Sequence, residues 1–507
     1  MDHILAKSLK SGTRVQRSRG HDEIWRSLFS GFAREGVSLQ ARIRQTVVSA
    51  IETKRLAHKA QMPSGRQLAK ILGIARNTVV LAYQQLVDDG FLEARERSGF
   101  FVANDWTPRP GPAVGPADPM LWNKRFRLQP SQQRNINKPR DWLRYPYPFI
   151  YGQFDPGLFP INNWRECARA ALSVLEIQNW ARDMIDGDDP ELIDQIRLHI
   201  LPRRGIWATA SQIMITMGAQ QGLSLAAQLL ACSESIVGIE DPGYPDARNT
   251  FAMLTPHVRP LAIDGDGLVL SDAVAACDII FATLGHQCPT GVAMSPGRRQ
   301  ALIDLARQHD IVIIEDDYEA DVLPDSDDNR ALKSHDSEGR VIYLGSLSKT
   351  LVPGLRLGFV VAAEPVIREL RALRRLSIRH SPTNNQRAAA LFLSLGHYRG
   401  HINKITTAFS RRAVHVQELL AAQAPCLSVQ SNSRSACLWV TGPPDLDAGC
   451  LATLAETRGV LIEPGEIFFA AHDAPRHSFR MGISAIPDNR IERGIELLAG
   501  CLKEMGH

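Results

Sequence analysis

The run Ile311 to Tyr318, I-V-I-I-E-D-D-Y, sets the strongest limit on the architecture, because its four consecutive β-branched residues show no alternation of apolar and polar positions. A strand with one buried face alternates. A strand without alternation is buried on both faces, as in a parallel sheet covered by helices. Much of the chain is therefore expected to fold as an α/β sheet, with Asp316 and Tyr318 at the C-terminal end of this strand, where such sheets bind their ligands. At 507 residues the chain exceeds one ordinary domain, and its 44% hydrophobic content suffices for sizeable cores.

A second apolar run, V-I-Y-L, leads into G-S-L-S-K-T-L-V-P-G-L-R-L-G (Gly345 to Gly358), and Lys349 follows Asp316 by 33 residues. Taken alone, S-x-S-K suits a surface loop equally well. Lys349, however, can condense with an aldehyde as a Schiff base, while Ser346, Ser348 and Arg356 offer hydroxyls and a guanidinium fork to a phosphate. Pyridoxal 5'-phosphate (PLP) needs all of these. Asp316 would keep its pyridine nitrogen protonated, and Tyr318 can reach its phenolic oxygen. T-M-G-A-Q-Q-G-L opens a helix after an apolar strand, which puts the amides of Gly218, Ala219 and Gln220 at a helix N-terminus suited to phosphate. In E-D-P-G-Y-P-D-A-R, Tyr244 offers an aromatic lid for the ring.

The first hundred residues carry an unrelated set of signals. Ser64 is a good N-cap for a short helix with Leu68, Ala69, Ile71 and Leu72 facing a core, and Gly73 ends it. A second helix begins after Ile74, with Val79, Ala82, Tyr83 and Leu86 at helical spacing and Gly90 past its end. Such a pair is a helix-turn-helix, whose second helix presents Arg76, Asn77 and Thr78 near its N-terminus. F-L-E-A-R-E-R-S-G-F-F-V then reads as a hairpin with a basic tip at Arg97-Ser98-Gly99, a winged-helix wing. L-Q-A-R-I-R-Q-T-V-V-S-A-I-E-T fits an amphipathic first helix, and I-W-R-S-L-F before it adds packing.

Between these halves, N-D-W-T-P-R-P-G-P-A-V-G-P-A-D-P favours an extended, semi-rigid tether. The expected organisation is an N-terminal extension over 1–23, a DNA-binding domain over 24–103, a Pro/Gly-rich linker over 104–140 and the α/β domain over 141–507. A net charge of +4 does not by itself imply nucleic acid, so the local basic clusters carry that argument. Eight cysteines without a C-x-x-C pair suggest no metal or disulfide framework and read as reduced thiols of a cytoplasmic protein. No stretch approaches the roughly 18 apolar residues of a membrane span.

From about Asp141 onward the chain resembles the fold-type I aminotransferases. The resemblance implies that Lys349, Asp316, Tyr318, Arg356, Tyr244 and the Gly218-Ala219-Gln220 turn hold PLP. P-R-H-S-F-R-M-G-I-S resembles the motif whose arginine, here Arg480, grips an effector or substrate carboxylate; a surface ion pair is the alternative. L-G-H-Q-C-P-T-G resembles the N-P-x-G turn, with Cys288 standing where the enzymes carry a ring-contacting asparagine and with Gln287 or His286 as possible substitutes. M-I-D-G-D-D-P-E-L-I-D departs from the Y-G-D-P pattern, so the entrance of the site should differ. The role of Arg248 stays open.

P-S-G-R-Q-L-A, L-G-I-A-R-N-T-V, A-Y-Q-Q-L and G-F-L resemble the GntR family, which implies DNA contacts at Arg66, Arg76, Asn77, Thr78, Arg97 and Gly99. Together with E-D-D-Y, H-Q-x-P-T-G and S-K-T-L-x-P-G-L-R-L-G, the chain is identified as a member of the MocR subfamily of GntR regulators: a winged helix-turn-helix fused to a fold-type I aminotransferase-like domain. This implies a homodimer on operator DNA that senses an amine or amino acid by external aldimine formation, with at most weak aminotransferase activity. The alternatives are an active aminotransferase with an appended DNA-binding domain, or a sensor of PLP itself.

Overall fold

The computed structural model describes residues 14–31, 37–103, 122–322, 329–430, 435–471 and 473–507. It divides into two compact units between Lys124 and Arg125. The stretch 104–121, the most proline-rich part of the expected linker, lies outside the described residues, as does 1–13 of the expected N-terminal extension.

The first unit contains helices α1 (Arg14–Ser30), α2 (Leu39–Glu52), α3 (Gly65–Leu72) and α4 (Arg76–Asp88), then strands β1 (Leu92–Arg95) and β2 (Gly99–Val102). Ser64 caps α3 through a capping box with Gln67, a motif whose cap residue contributes about 1 kcal/mol. Gly73 ends the helix at φ +67 and Gly90 turns the chain after α4 at φ +76, a left-handed region that glycine enters without steric cost. Tyr83 is fully buried, and its hydroxyl donates to the Pro63 carbonyl at 3.1 Å. Helix α1 runs across the expected boundary at residues 23–24; Trp25, Leu28 and Phe29 on it are buried in the same core as Val47, Val79 and Leu86.

In the second unit, β3 (Tyr147–Pro148) precedes an eight-stranded sheet formed by β4 (Ile213–Thr216), β5 (Val237–Asp241), β6 (Val258–Asp264), β7 (Gly267–Leu268), β8 (Ile279–Ala282), β9 (Val312–Asp317), β10 (Val341–Ser346) and β11 (Gly358–Val361). Its order is β4-β11-β10-β9-β8-β5-β6-β7. Strand β9 lies between β8 and β10, parallel to both, and Ile313 and Ile314 are fully buried, as the unalternating run requires. Strand β11 is antiparallel to β10 and β4.

A smaller antiparallel sheet joins β12 (Ser428–Gln430), β13 (Cys437–Thr441), β15 (Glu463–Pro464) and β16 (Ser478–Gly482) in the order β12-β13-β16-β15, while β14 (Val460–Leu461) pairs with β3. One continuous core runs from Phe359 and Leu357 at the large sheet to Leu438, Phe479 and Met481 of the small one, so the two sheets are held together by packing.

Residues 125–140 differ from the extended tether expected of them. Gln133 Nε2 donates to the Asn249 carbonyl at 3.0 Å, and Arg134 donates to the carbonyls of Glu466 at 2.7 Å and Ala471 at 3.2 Å. These long-range bonds hold the segment, which contains a short 3₁₀ turn over Pro130–Gln132, to the aminotransferase-like unit. No helix of the described residues is long and apolar enough to cross a membrane.

Candidate functional site

The C-terminal ends of β4, β9 and β10 and the start of the helix Ala219–Leu230 open onto a cavity of about 500 Å3, lined by Gly218, Ala219, Gln220, Tyr244, Asp316, Tyr318, Ser346, Ser348, Lys349, Arg356 and Arg480. The eleven residues proposed from the sequence for PLP and effector therefore lie on one wall or another of a single space.

Lys349 presents much of its side chain to this cavity, yet protein surrounds the amine, which lies 4.4 Å from the centre of the Tyr151 ring. Burial, and then the charges of Lys138 and Arg480, lower its pKa to about 8. Asp316 is buried, and burial pushes its carboxyl up to about 7 although Lys349 opposes the shift. Its Oδ1 has no hydrogen-bond partner among the described residues. A buried, unpartnered carboxylate is costly unless something occupies the space before it, and a protonated ring nitrogen satisfies that need.

The end of the cavity expected to take a phosphate is equally specific. Gly218 has φ +77, and a Cβ built there would lie 2.9 Å from Arg356 Nη2, so only glycine allows the guanidinium this close to the helix start. Arg356 is exposed to the cavity and is steadied by a bond from Nη2 to the Met217 carbonyl at 2.9 Å. The amides of Ala219 and Gln220 open the helix, where no intrahelical acceptor exists. Tyr244 is fixed over the site by hydroxyl bonds to Gln220 Oε1 and Asp246 Oδ2, both 3.0 Å. These residues fit PLP.

Several expectations are corrected by the geometry. The Ser348 hydroxyl donates to the Leu357 carbonyl at 3.0 Å and accepts from the Leu357 amide at 2.8 Å, so it shapes the lysine loop and has no proton left for a phosphate, while Ser346 lines the cavity. Gln287 cannot replace the missing asparagine, because its Nε2 donates to the Pro242 and Cys288 carbonyls and its Oε1 accepts from Thr290. His286 faces Ser435 at 2.8 Å and Glu319 at 3.3 Å, and is not among the residues lining the cavity. Cys288 does line it, and burial pushes its thiol up to about 12, so at neutral pH it meets the ring region as a neutral thiol. Arg248 donates to the carbonyls of Ile467 and Phe468 and does not line the cavity. In the altered M-I-D-G-D-D-P segment, Asp188 is ion-paired with Arg374 at 2.6 Å and Asp189 caps the helix Pro190–Gln195, so these carboxylates serve the fold.

Arg480 on β16 is neither at the surface nor free. Its Nε donates to Glu463 Oε2 at 2.9 Å, and its Nη1 lies 3.9 Å from Cys288 Sγ. The guanidinium carbon sits 4.7 Å from the ring centres of both Tyr151 and Phe468. Burial opposes its charge, but the Glu463 carboxylate leads the opposing charges and its pKa stays above the ordinary arginine value. Sequence reasoning missed Glu463, Tyr151 and Lys138. Glu463 shows itself only once β15 is paired with β16, and Lys138 lay in a stretch assigned to the tether.

On the first unit, Arg66 near the start of α3, Arg76 and Asn77 at the start of α4, and Arg97 and Gly99 at the hairpin tip are exposed, while Thr78 is half-buried. Arg66, Arg76, Asn77 and Arg97 have no side-chain hydrogen bond or ion pair among the described residues. The N-cap of α4 is Ala75, which supplies no side-chain bond, so the amides of Arg76 and Asn77 stay uncapped while that of Thr78 donates to the Ala75 carbonyl at 3.1 Å. Arg97 at φ +59 and Gly99 at φ +98 make the tight wing tip between paired Arg95 and Gly99.

Comparison with known proteins agrees with both halves. Residues 39–102 match the family model for bacterial regulatory proteins of the gntR family, and residues 155–498 match aminotransferase class I and II. The HTH-type transcriptional regulator TauR of Rhodobacter capsulatus is 40% identical over 92% of this chain and 97% of its own length. The probable rhizopine catabolism regulatory protein MocR of Rhizobium meliloti is 27% identical over 91% of this chain and 93% of its own. Among solved structures, kynurenine aminotransferase of Pyrococcus horikoshii superposes with a TM-score of 0.68 at 25% identity, covering 76% of this chain and 98% of that one. An archaeal alanine:glyoxylate aminotransferase gives 0.69 at 22% identity over 76% of this chain and all of its own.

Proposed function

Because this chain belongs to the MocR-like subfamily of GntR transcriptional regulators, with a winged helix-turn-helix ahead of a fold-type I aminotransferase domain, we propose that it uses PLP to sense an amine or amino acid bearing an acidic group. The observation that carries the reading is the unpartnered buried oxygen of Asp316 in the same cavity as the lowered amine of Lys349. PLP, when bound, supplies an aldehyde that condenses reversibly with primary amines.

The chain's own residues do the rest. Gly218, Ala219, Gln220, Ser346 and Arg356 would hold the phosphate, Tyr244 and Tyr318 would flank the ring, and Asp316 would hold a proton at the ring nitrogen. Lys349 would hold the cofactor as its resident amine, and its lowered pKa keeps a substantial neutral fraction near pH 8. Arg480, held charged and aimed by Glu463, would take the effector's acidic group. Two such chains in a homodimer would offer two winged heads to two operator half-sites, with Arg76, Asn77 and Arg97 reaching the DNA. A contact made in only one of two arrangements of the protein is what lets a ligand shift DNA binding.

Catalytic turnover is the competing reading. It is weakened by Cys288, whose neutral thiol replaces the asparagine amide, and by the commitment of Gln287 elsewhere. The deciding experiment mixes PLP-loaded protein with candidate amino acids in stopped-flow absorbance, then measures 2-oxo acid release and operator affinity. A spectral change that alters operator affinity without sustained 2-oxo acid production is expected. Rapid multiple turnover with unchanged DNA binding would establish an enzyme instead.

A further inference from the structure

We propose that Lys138 is a second contact for the effector's acidic group, one that ties the occupied pocket to the segment leading back to the DNA-binding unit; the inference deepens the sensor reading above and rests on it. Ile136, Asn137 and Lys138 line the same cavity as Lys349 and Arg480. Lys138 Nζ donates to the Tyr151 carbonyl and lies 3.1 Å from Glu463 Oε1. An ammonium has three donors, so these two partners leave one for a cavity occupant. A Cβ built on Gly152 would be 3.1 Å from Lys349 Nζ and 3.7 Å from Lys138 Nζ, which puts both amines beside one point of the wall.

Charge decides what belongs there. Glu463 is shared, Oε1 toward Lys138 and Oε2 toward Arg480, so this one carboxylate answers two cations. The phosphate end of the cavity, at Gly218 and Arg356, has its own cation and amides. An oxyanion placed between Lys138 and Arg480 would restore balance at the effector end through charge-assisted bonds to both.

Position in the chain gives Lys138 a role that Arg480 cannot have. It ends the segment that Gln133 and Arg134 fasten to Asn249, Glu466 and Ala471, and that segment continues in sequence into the proline-rich stretch. An effector held by Lys138 therefore adds a fastening to this segment, and its release removes one.

The test titrates acetate, propionate and succinate into the full-length protein by calorimetry, both as isolated and PLP-loaded, for wild type, Lys138→Gln and Lys138→Arg. Amide hydrogen exchange over residues 129–138 is followed in parallel. Wild type should bind at least one carboxylate; Lys138→Gln should weaken it by about tenfold or more, and Lys138→Arg by no more than about threefold. Carboxylate should slow exchange over 129–138 in wild type and not in Lys138→Gln. Equal affinity in wild type and Lys138→Gln, or no binding of any of the three to wild type, overturns the proposal. If Lys138→Gln does not fold, unchanged exchange over 129–138 in carboxylate-saturated wild type overturns it equally. Calorimetry needs no chromophore, so Lys138-dependent binding in a protein that takes up no PLP would sink the cofactor reading alone.

Discussion

Glu463 and Arg480 stand directly opposite each other on β15 and β16, and the carboxylate accepts the guanidinium Nε at 2.9 Å with both side chains buried. The pair uses one edge of the arginine, while Nη1 points to Cys288 Sγ at 3.9 Å. Glu463 itself is kept ionised: burial would raise its pKa, but Arg480 and Lys138 hold it below the ordinary carboxylate value. Arg480 is therefore not a free hook but half of a fixed ion pair, and that changes how its mutants must be read.

Arg480→Ala should remove the effector response, but it also strands Glu463. Breaking a buried pair from one side costs about 3–5 kcal/mol, so thermal stability should fall with it. Arg480→Ala combined with Glu463→Gln should recover much of that stability and still fail to respond to effector. Calorimetric melting beside operator binding separates the two effects; a double variant that responds like wild type would remove Arg480 from effector binding.

Lys349→Ala should abolish the yellow chromophore of the PLP-loaded protein, and borohydride should no longer fix the cofactor's mass to the chain. The neutral form of Lys349 gains as pH rises through about 8 instead of the usual 10.5, so PLP uptake by stripped protein should accelerate through that lower pH. Lys138→Gln removes a neighbouring positive charge and should move the midpoint upward. A stopped-flow pH series checks both.

Gly218→Ala should weaken PLP binding by about tenfold or more, a change of about 1.4 kcal/mol, because the new Cβ meets the Arg356 guanidinium and the backbone is left-handed. Equilibrium dialysis against PLP measures the loss. Native affinity in this variant would show that the Arg356 cradle does not hold the phosphate.

Arg76→Ala with Asn77→Ala should weaken operator binding, by about 1–3 kcal/mol for each base edge the helix no longer reads, without lowering the melting temperature of a unit whose core these exposed residues do not enter. Arg97→Ala at the wing tip, where the guanidinium would meet a phosphate, should weaken all sequences alike and flatten the salt dependence. Fluorescence anisotropy at several salt concentrations distinguishes the cases.

Local rules account for a good part of what the chain reveals unfolded. The cap at Ser64, the left-handed exits at Gly73 and Gly90 and the doubly buried strand ending at Asp316 follow from backbone preference and apolar periodicity, which act over a few residues and are written directly in the chain. The grouping of Lys349, Arg356 and Tyr244 was legible for a related reason: each sits at the end of an element the pattern marks.

Other features exist only because distant segments meet. Whether Ser348 points at a phosphate or closes its own loop depends on Leu357, whether Gln287 is available depends on Pro242, and Lys138 enters the pocket only because its segment is fastened to Asn249 and Glu466. The partner of Arg480 was decided by strand pairing, which sets opposite each other two residues 17 apart in the chain. A side chain's identity limits what it can bind, but which of its donors and acceptors remain unspent is settled by neighbours that only the folded chain brings within about 3 Å of them.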